Sequence, residues 1–528
     1  MSKSLSVSNS WQAPFFGKSS AYVSGRDPLG LQTTSVATYS RLIPGITNVT
    51  NRVRYWSFYC WLVHLYSQKI SQTNYKRFVQ FIRRGEFTLA VAIEVAGQNE
   101  NAVSGKLQAA KAAQDLPLDL KKYADNDVRS SSRYWKYESG AFGQYFAGVL
   151  EELGLLVKNE FRIPVCTDKE QHEHFKSNLE VSGVELAIAF REAISLDIEN
   201  RFFQTIENGK AGYEDLLAFG NSLTLSAIQT ESSEWDLIRK ILTGRDSPGR
   251  FTKESDSFFR LNTIRLFLDF RQLKAERKIL DFPFWFEERN GVGTSGTEED
   301  VPFGWFYYAV NERWHYANEL IFSAFLKKLR NHDFSLMKEF IEEFVSKIVQ
   351  AAVPKASSFS TEQWFEFWNN QASYSENDLQ EVVQDALDGF IQILDLYKTY
   401  KNQLDTFIRF GQRLGIERRG DFAHGLRNVA EHIHRPPGDF FEWYLMRNII
   451  NRHLFVAMDK LASTGVNTQK FKHEEQVLYF INNIGVGYTN PRLNQLALYL
   501  QDLQVLDMDF NPTALASSFF KTENNPST

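Results

Sequence analysis

Cysteine is nearly absent, with Cys60 and Cys166 the only two in 528 residues. Two thiols cannot build a disulfide framework or a cysteine-rich zinc site, and the expectation is a buried, reduced pair. Proline and glycine are also sparse, at 14 and 30, which favours long helices over many short strands joined by turns. There is no basic excess. The formal net charge is −5, which excludes the global positive field of a nucleic-acid coat protein but not a local basic surface. No apolar run is long enough to span a bilayer: the densest, Tyr55 to Tyr66, is headed by Arg52 and Arg54 and carries His64. It reads as a buried core helix. Met1 to Asn9 is polar and serine-rich, without the apolar stretch of a secretory signal, so a cytoplasmic location is expected.

Catalytic motifs are missing as well. No GxxxxGKS/T phosphate loop, GxSxG elbow, HExxH zinc helix, kinase set or convincing nuclease pattern occurs, and Gly291-Val292-Gly293 lacks the third glycine of a dinucleotide loop. No cofactor is expected, and a non-enzymatic role is favoured.

What is abundant is aromatic side chain: 44 Phe, 21 Tyr and 11 Trp, enough to fill a large core. A chain of this length calls for two to four subdomains. The fold expected is mainly α, a multi-subdomain helical protein with one or two winged-helix-like modules contributing small β-hairpins. The boundaries read as an irregular lead-in over 1–50, a helical region over 51–183 ending in a winged-helix-like module, and a helical middle region over 184–290. Beyond these lie a long-helix region over 300–435, a C-terminal helical and winged-helix-like region over 436–511 and a disordered tail over 512–528.

Two local patterns carry the winged-helix expectation. Phe142, Tyr145, Phe146, Val149, Leu150 and Leu153 repeat at helical spacing up to Gly154, and Phe161, Ile163 and Val165 then alternate with polar neighbours and Pro164. The period changes from 3.6 to 2 across the glycine, as where a helix runs into a hairpin. Near the end, Leu493, Leu496, Ala497 and Leu500 form a stripe, after which Leu506, Met508 and Phe510 alternate with acids. In such modules the helix before the wing can enter a DNA groove, with wing residues on phosphates. The candidate DNA-binding residues are therefore Arg129, Arg133 and Lys136, with Lys158 and Arg162 on the wing. The second module is acidic, with Asp502, Asp507 and Asp509.

Other clusters have plainer readings. Tyr55, Trp56, Phe58, Tyr59 and Trp61 could stack on single-stranded nucleic acid, but at this density on one helix they read as core, as do Trp364, Phe365, Phe367 and Trp368. His424, His432 and His434 lie among Asp421, Glu431 and Asp439 and are the candidate metal ligands, although their spacing fits no zinc motif. His172 and His174 read as a solvated loop. Arg409, Arg413, Arg418, Arg419, Arg427, Arg435, Arg447 and Arg452 alternate with acids, which suggests structural ion pairs before a phosphate-facing strip.

The stretch Asp27 to Tyr66 reads DPLGL…RLIPGITNVTNRVRYWSFYCWLVHLY. It resembles the N-terminal region of helix-rich accessory proteins from bacterial anti-phage and anti-plasmid defence loci, in a D-x-L-G-L segment, a P-G-x-S/T turn and an R-x-R-Y aromatic helix. The matching residues are Asp27, Leu29, Gly30, Leu31, Pro44, Gly45, Thr47, Arg52, Arg54, Tyr55, Phe58 and Trp61. Phe142 to Leu156 and Arg452 to Val505 are similar too. The resemblance implies a multi-subunit defence system in which other subunits supply ATPase and nuclease activity. Together with the missing catalytic motifs and the two helix–wing patterns, it favours a non-enzymatic accessory subunit that binds an ATPase partner, SMC-like or helicase, or DNA. Two alternatives stay open: a metal-dependent nuclease or hydrolase working from His424 to His434, and a standalone winged-helix DNA-binding regulator.

Overall fold

The computed structural model describes all residues except 1–26, 71–72, 99–102, 126–132, 170–180, 227, 245–255, 290–299, 333, 353–358, 371–380, 419 and 521–528. The protein is mainly α with three small antiparallel sheets among those residues. None of its described helices is long and apolar enough to cross a membrane. The chain forms two compact units, each discontinuous in sequence. One is built from the described parts of Met1–Thr38 and Gly304–Thr489, the other from those of Tyr39–Phe303 and Asn490–Thr528.

The second unit is organised around the aromatic helix Tyr55–Lys69. Tyr55, Trp56, Phe58, Tyr59 and Trp61 are at most 2% exposed, so the core reading of this cluster is the correct one. Trp61 packs its ring on Phe190 and Phe202, each 5.3 Å away, and Tyr59 meets Phe142 at 5.2 Å. The neighbouring helix Tyr75–Val95 begins where Asn74 accepts a hydrogen bond from the Arg77 amide at 3.1 Å, a side-chain cap that satisfies one orphan donor. A helix, Ala147–Glu152, then leads into a hairpin of Leu156–Lys158 and Pro164–Cys166, as the change of period predicts. Asn159 closes its loop, Oδ1 accepting from the amides of Phe161 and Ile163 at 3.0 Å.

The C-terminal pattern resolves differently. The helix Leu493–Asp502 forms, but it runs into a tight turn with a single bridge between Leu506 and Pro512 rather than a two-stranded wing. The cause is Asp507, whose Oδ1 accepts from the amides of Asp509 at 2.9 Å and Asn511 at 2.8 Å, folding the segment back on itself. The expected disordered tail is partly folded: Phe519 is buried, and its carbonyl accepts from Arg265 Nε at 2.9 Å. Nor is the lead-in wholly irregular. The helix Gln32–Leu42 starts there because the Asp27 carboxylate accepts from the amides of Leu31 at 2.8 Å and Gln32 at 3.2 Å.

The first unit is built on the long helix Asp300–Arg330, which enters that unit at Gly304. Trp305, Tyr307, Tyr308, Phe322 and Phe325 on it are all buried. The helix Glu381–Tyr400 approaches it at Gly389, where a Cβ would stand 2.6 Å from the Ile321 side chain and 2.7 Å from the Ala317 carbonyl. Only glycine fits there. Further on, the helices Pro437–Tyr444 and Asn451–Thr464 are joined by a π-helical turn, Leu445–Ile450, and Gly465 ends the run in the left-handed conformation.

A hairpin of Phe471–Glu474 and Val477–Phe480 comes next, and Phe334–Leu336 pairs with Val477–Phe480 as a third strand. The two-residue loop of that hairpin, Glu475 and Gln476, has both φ angles positive, as a turn matched to strand twist requires. The strand Phe334–Leu336 is thus separated from the hairpin by a run of helices, Met337–Ala352 to Asn451–Thr464, and the last of these with the hairpin and that added strand makes a second winged-helix-like end. The sequence pattern does not place one here.

Candidate functional site

The arginines of the R-x-R-Y segment are spent inside the second unit. Arg54 is 4% exposed, and it clasps Glu234, itself 2% exposed, with Nε 3.0 Å from Oε1 and Nη2 3.1 Å from Oε2. Ser57 donates to the same carboxylate at 2.5 Å, and Arg54 Nη1 to the Thr224 carbonyl at 2.5 Å. Arg52 pairs with the buried Asp502 at 2.5 Å. Beside them, Glu86 lies fully inside and accepts from the hydroxyls of Tyr59 at 3.0 Å and of Tyr134, and from the amides of Ala141 at 3.1 Å and Phe142 at 2.5 Å. Burial pushes its carboxyl pKa up, against the pull of those four donors. The resemblance motif is thus structural in this unit, with both of its bases engaged by carboxylates of the same unit.

The candidate DNA-binding residues are scattered in role. Arg129 lies outside the described residues. Arg133 is half-buried, with its Nε enclosed and without a hydrogen-bond partner among the described residues, and Lys136 is exposed. On the hairpin, Lys158 is exposed but ion-paired to Glu151 at 3.0 Å. Arg162 stands exposed at the loop with φ +58°, beside the exposed ring of Phe161. The hairpin tip therefore offers one aromatic and one base, not a basic strip.

The histidine candidates take separate partners. His424 hydrogen-bonds Glu417, while His432 stacks face to face on Trp443 at 3.8 Å and holds the Asn428 carbonyl at 3.0 Å. His434 is exposed beyond the helix Phe422–His432. Among the described residues no group of three or more His, Cys, Asp or Glu side chains is placed to hold a metal ion. His172, His174 and Arg419 lie outside the described residues. Of the clustered arginines, Arg427 pairs with Asp405, Arg418 caps the Gly415 carbonyl at 2.8 Å, and Arg452 donates to the Leu29 carbonyl at 2.5 Å.

A polar row escaped the sequence reading altogether. Asn311, Glu312, His315, Asn318 and Glu319 lie on one face of the long helix and are at most 3% exposed. His315 Nε2 sits 2.9 Å from Glu319 Oε1, and Gln32 reaches the same nitrogen at 3.2 Å. Asn311 Nδ2 donates to Ser35 Oγ at 2.8 Å. The amide of Thr489 donates to Glu312 at 2.5 Å, and that of Gly487 to Glu319 at 3.4 Å. Burial pushes the Glu312 carboxyl pKa up. Burial alone would lower the His315 pKa, but the hydrogen bond and charge of Glu319 outweigh it and raise the imidazole overall. The row ties Gln32, Ser35, Gly487 and Thr489 to the long helix.

The D-x-L-G-L segment docks in the same unit. Lys460 donates to the Asp27 carbonyl at 2.7 Å, and His453 joins the Pro28 carbonyl at 2.9 Å to the Lys470 amide at 2.8 Å. A neutral ring with hydrogen on Nδ1 makes both of those bonds, and burial lowers the His453 pKa to about 4.

Against this inward use of charge, apolar side chains are displayed on the three-stranded sheet. Phe334 is 65% exposed, Leu336 48% and Tyr479 38%. Strand alternation and pairing put all three on one face: Phe334 is opposite Tyr479, their rings 6.3 Å apart, and Leu336 is opposite Val477. Lys472 and Glu474 complete that face. On the preceding helix, Phe455 and Met458 are 47% and 57% exposed. The helix that would enter a DNA groove thus shows apolar residues, and its hairpin turns through Glu475 and Gln476.

No protein-family profile matches the chain, and neither a curated protein nor a solved structure is similar to it.

Proposed function

We propose that this chain is a non-enzymatic accessory subunit of a prokaryotic anti-phage or anti-plasmid defence complex, a scaffold that holds an SMC-like or helicase ATPase, with DNA as a secondary contact. The observation that carries the docking role is the exposed Phe334, Leu336 and Tyr479 face. Large apolar side chains grouped on one sheet face mark a surface that another protein covers. The arginines of the resemblance motif support a scaffold too, because they bind chain segments together inside one unit. A contact to DNA falls to the hairpin tip, where Arg162 and Phe161 are exposed.

The test is a phage and plasmid challenge of cells carrying the intact locus, the locus without this gene, and the locus with Phe334→Asp and Tyr479→Asp. Protection lost in both altered loci, at unchanged levels of the other subunits, is expected. Full protection without this gene overturns the proposal.

A further inference from the structure

The only two cysteines of the chain meet in space. Cys60 lies in the middle of the aromatic helix and Cys166 ends the second strand of the Leu156–Cys166 hairpin. The Cys166 thiol donates to the backbone carbonyl of Cys60 at 3.1 Å, which sets its sulfur against the helix turn that carries the Cys60 side chain. Both are free thiols. In a chain with two cysteines separated by 105 intervening residues, side-by-side placement is what a dithiol that closes on oxidation requires.

We propose that Cys60 and Cys166 are a modification site, which a peroxide-class oxidant converts to a disulfide stapling the hairpin to the aromatic helix. Attack starts at Cys166, which is 9% exposed while Cys60 is fully buried. The Cys166 sulfur takes an oxygen from the peroxide, forming a sulfenic acid and releasing one water. The Cys60 sulfur then attacks the Cys166 sulfur. The S–S bond forms, the sulfur–oxygen bond breaks, and the hydroxyl leaves with the Cys60 proton as a second water. Two thiols are oxidised by two electrons and one peroxide is reduced to two waters. A dithiol reductant reverses the step by exchange. Burial pushes the Cys60 thiol pKa up, which disfavours direct attack of its sulfur on the peroxide. The staple fixes the strand next to the loop carrying Phe161 and Arg162, so oxidation would set how firmly that tip is presented.

The experiment treats the purified, reduced full chain with hydrogen peroxide, then denatures it in a thiol-alkylating reagent and measures intact mass. The wild type should lose two hydrogens, take up no alkyl group, give a Cys60–Cys166 linked peptide on digestion, and regain both thiols with dithiothreitol. Its melting temperature should rise on oxidation and return on reduction. Cys60→Ser should instead stop at an oxygen adduct on Cys166. Two alkylated thiols in the wild type after millimolar peroxide, or oxygen adducts on both sulfurs without the linked peptide, would overturn the proposal.

Discussion

Arg54 and Glu234, 180 residues apart, form a two-point ion pair sealed inside the protein, with Nε 3.0 Å from Oε1 and Nη2 3.1 Å from Oε2. Ser57 fills a further acceptor position on the carboxylate. Removing one partner leaves the other charge buried and alone, which costs roughly 3–5 kcal/mol. Arg54→Ala and Glu234→Ala are each expected to lower stability by that order in chemical denaturation, while the double variant falls well short of the sum. Strict additivity would contradict the pairing.

Glu86 gathers four donors on one carboxylate. Glu86→Ala leaves two tyrosine hydroxyls and two amides without an acceptor, at about 1–3 kcal/mol for each group that water cannot reach. Hydrogen exchange should quicken at the amides of Ala141 and Phe142 before it quickens in the Tyr75–Val95 helix. Equal protection in the variant and the wild type would remove Glu86 from this role.

His453 makes stability depend on pH. Its folded pKa, about 4, lies below the ordinary value of 6.5 because the ring is buried. A depressed base binds fewer protons folded than unfolded. Its contribution is therefore present above pH 6.5 and is lost as pH falls through about 4. Denaturation between those values should show a slope that flattens in His453→Gln. The same slope in both proteins would count against a neutral, buried His453.

The histidines of the 424–434 segment should behave differently from one another. His432→Ala loses a stacked ring on Trp443, worth about 0.5–1.5 kcal/mol beyond area. The exposed His434→Ala should fall within about 0.5 kcal/mol of wild type. Parallel losses, with stoichiometric metal in elemental analysis, would revive the metal-dependent reading.

The local signals were legible where one stretch of chain decides its own structure. Asn74 marks the start of its helix, Gly465 the end of another, and the period change at Gly154 marks the first hairpin. The second hairpin was hidden because Glu475 and Gln476 take positive φ without the Asn-Gly signature of such a turn, and because its third strand is only Phe334–Leu336. The polar row was hidden for another reason. Glu312, His315 and Glu319 share one helical face, but only packing against Gln32, Gly487 and Thr489 makes that face an interior. The two compact units are themselves discontinuous, which no boundary drawn along the chain can express.

The proposed docking role of the exposed sheet face is open to a direct test. The direct measurement is the mass, by size-exclusion chromatography with light scattering, of this chain co-expressed with the products of its flanking genes. The wild type is predicted to elute in one stable complex with an ATPase subunit after nuclease treatment. The Phe334→Asp and Tyr479→Asp variant should elute alone with an unchanged melting temperature. A variant that stays in the complex, or a wild type that joins none of these products, would contradict it.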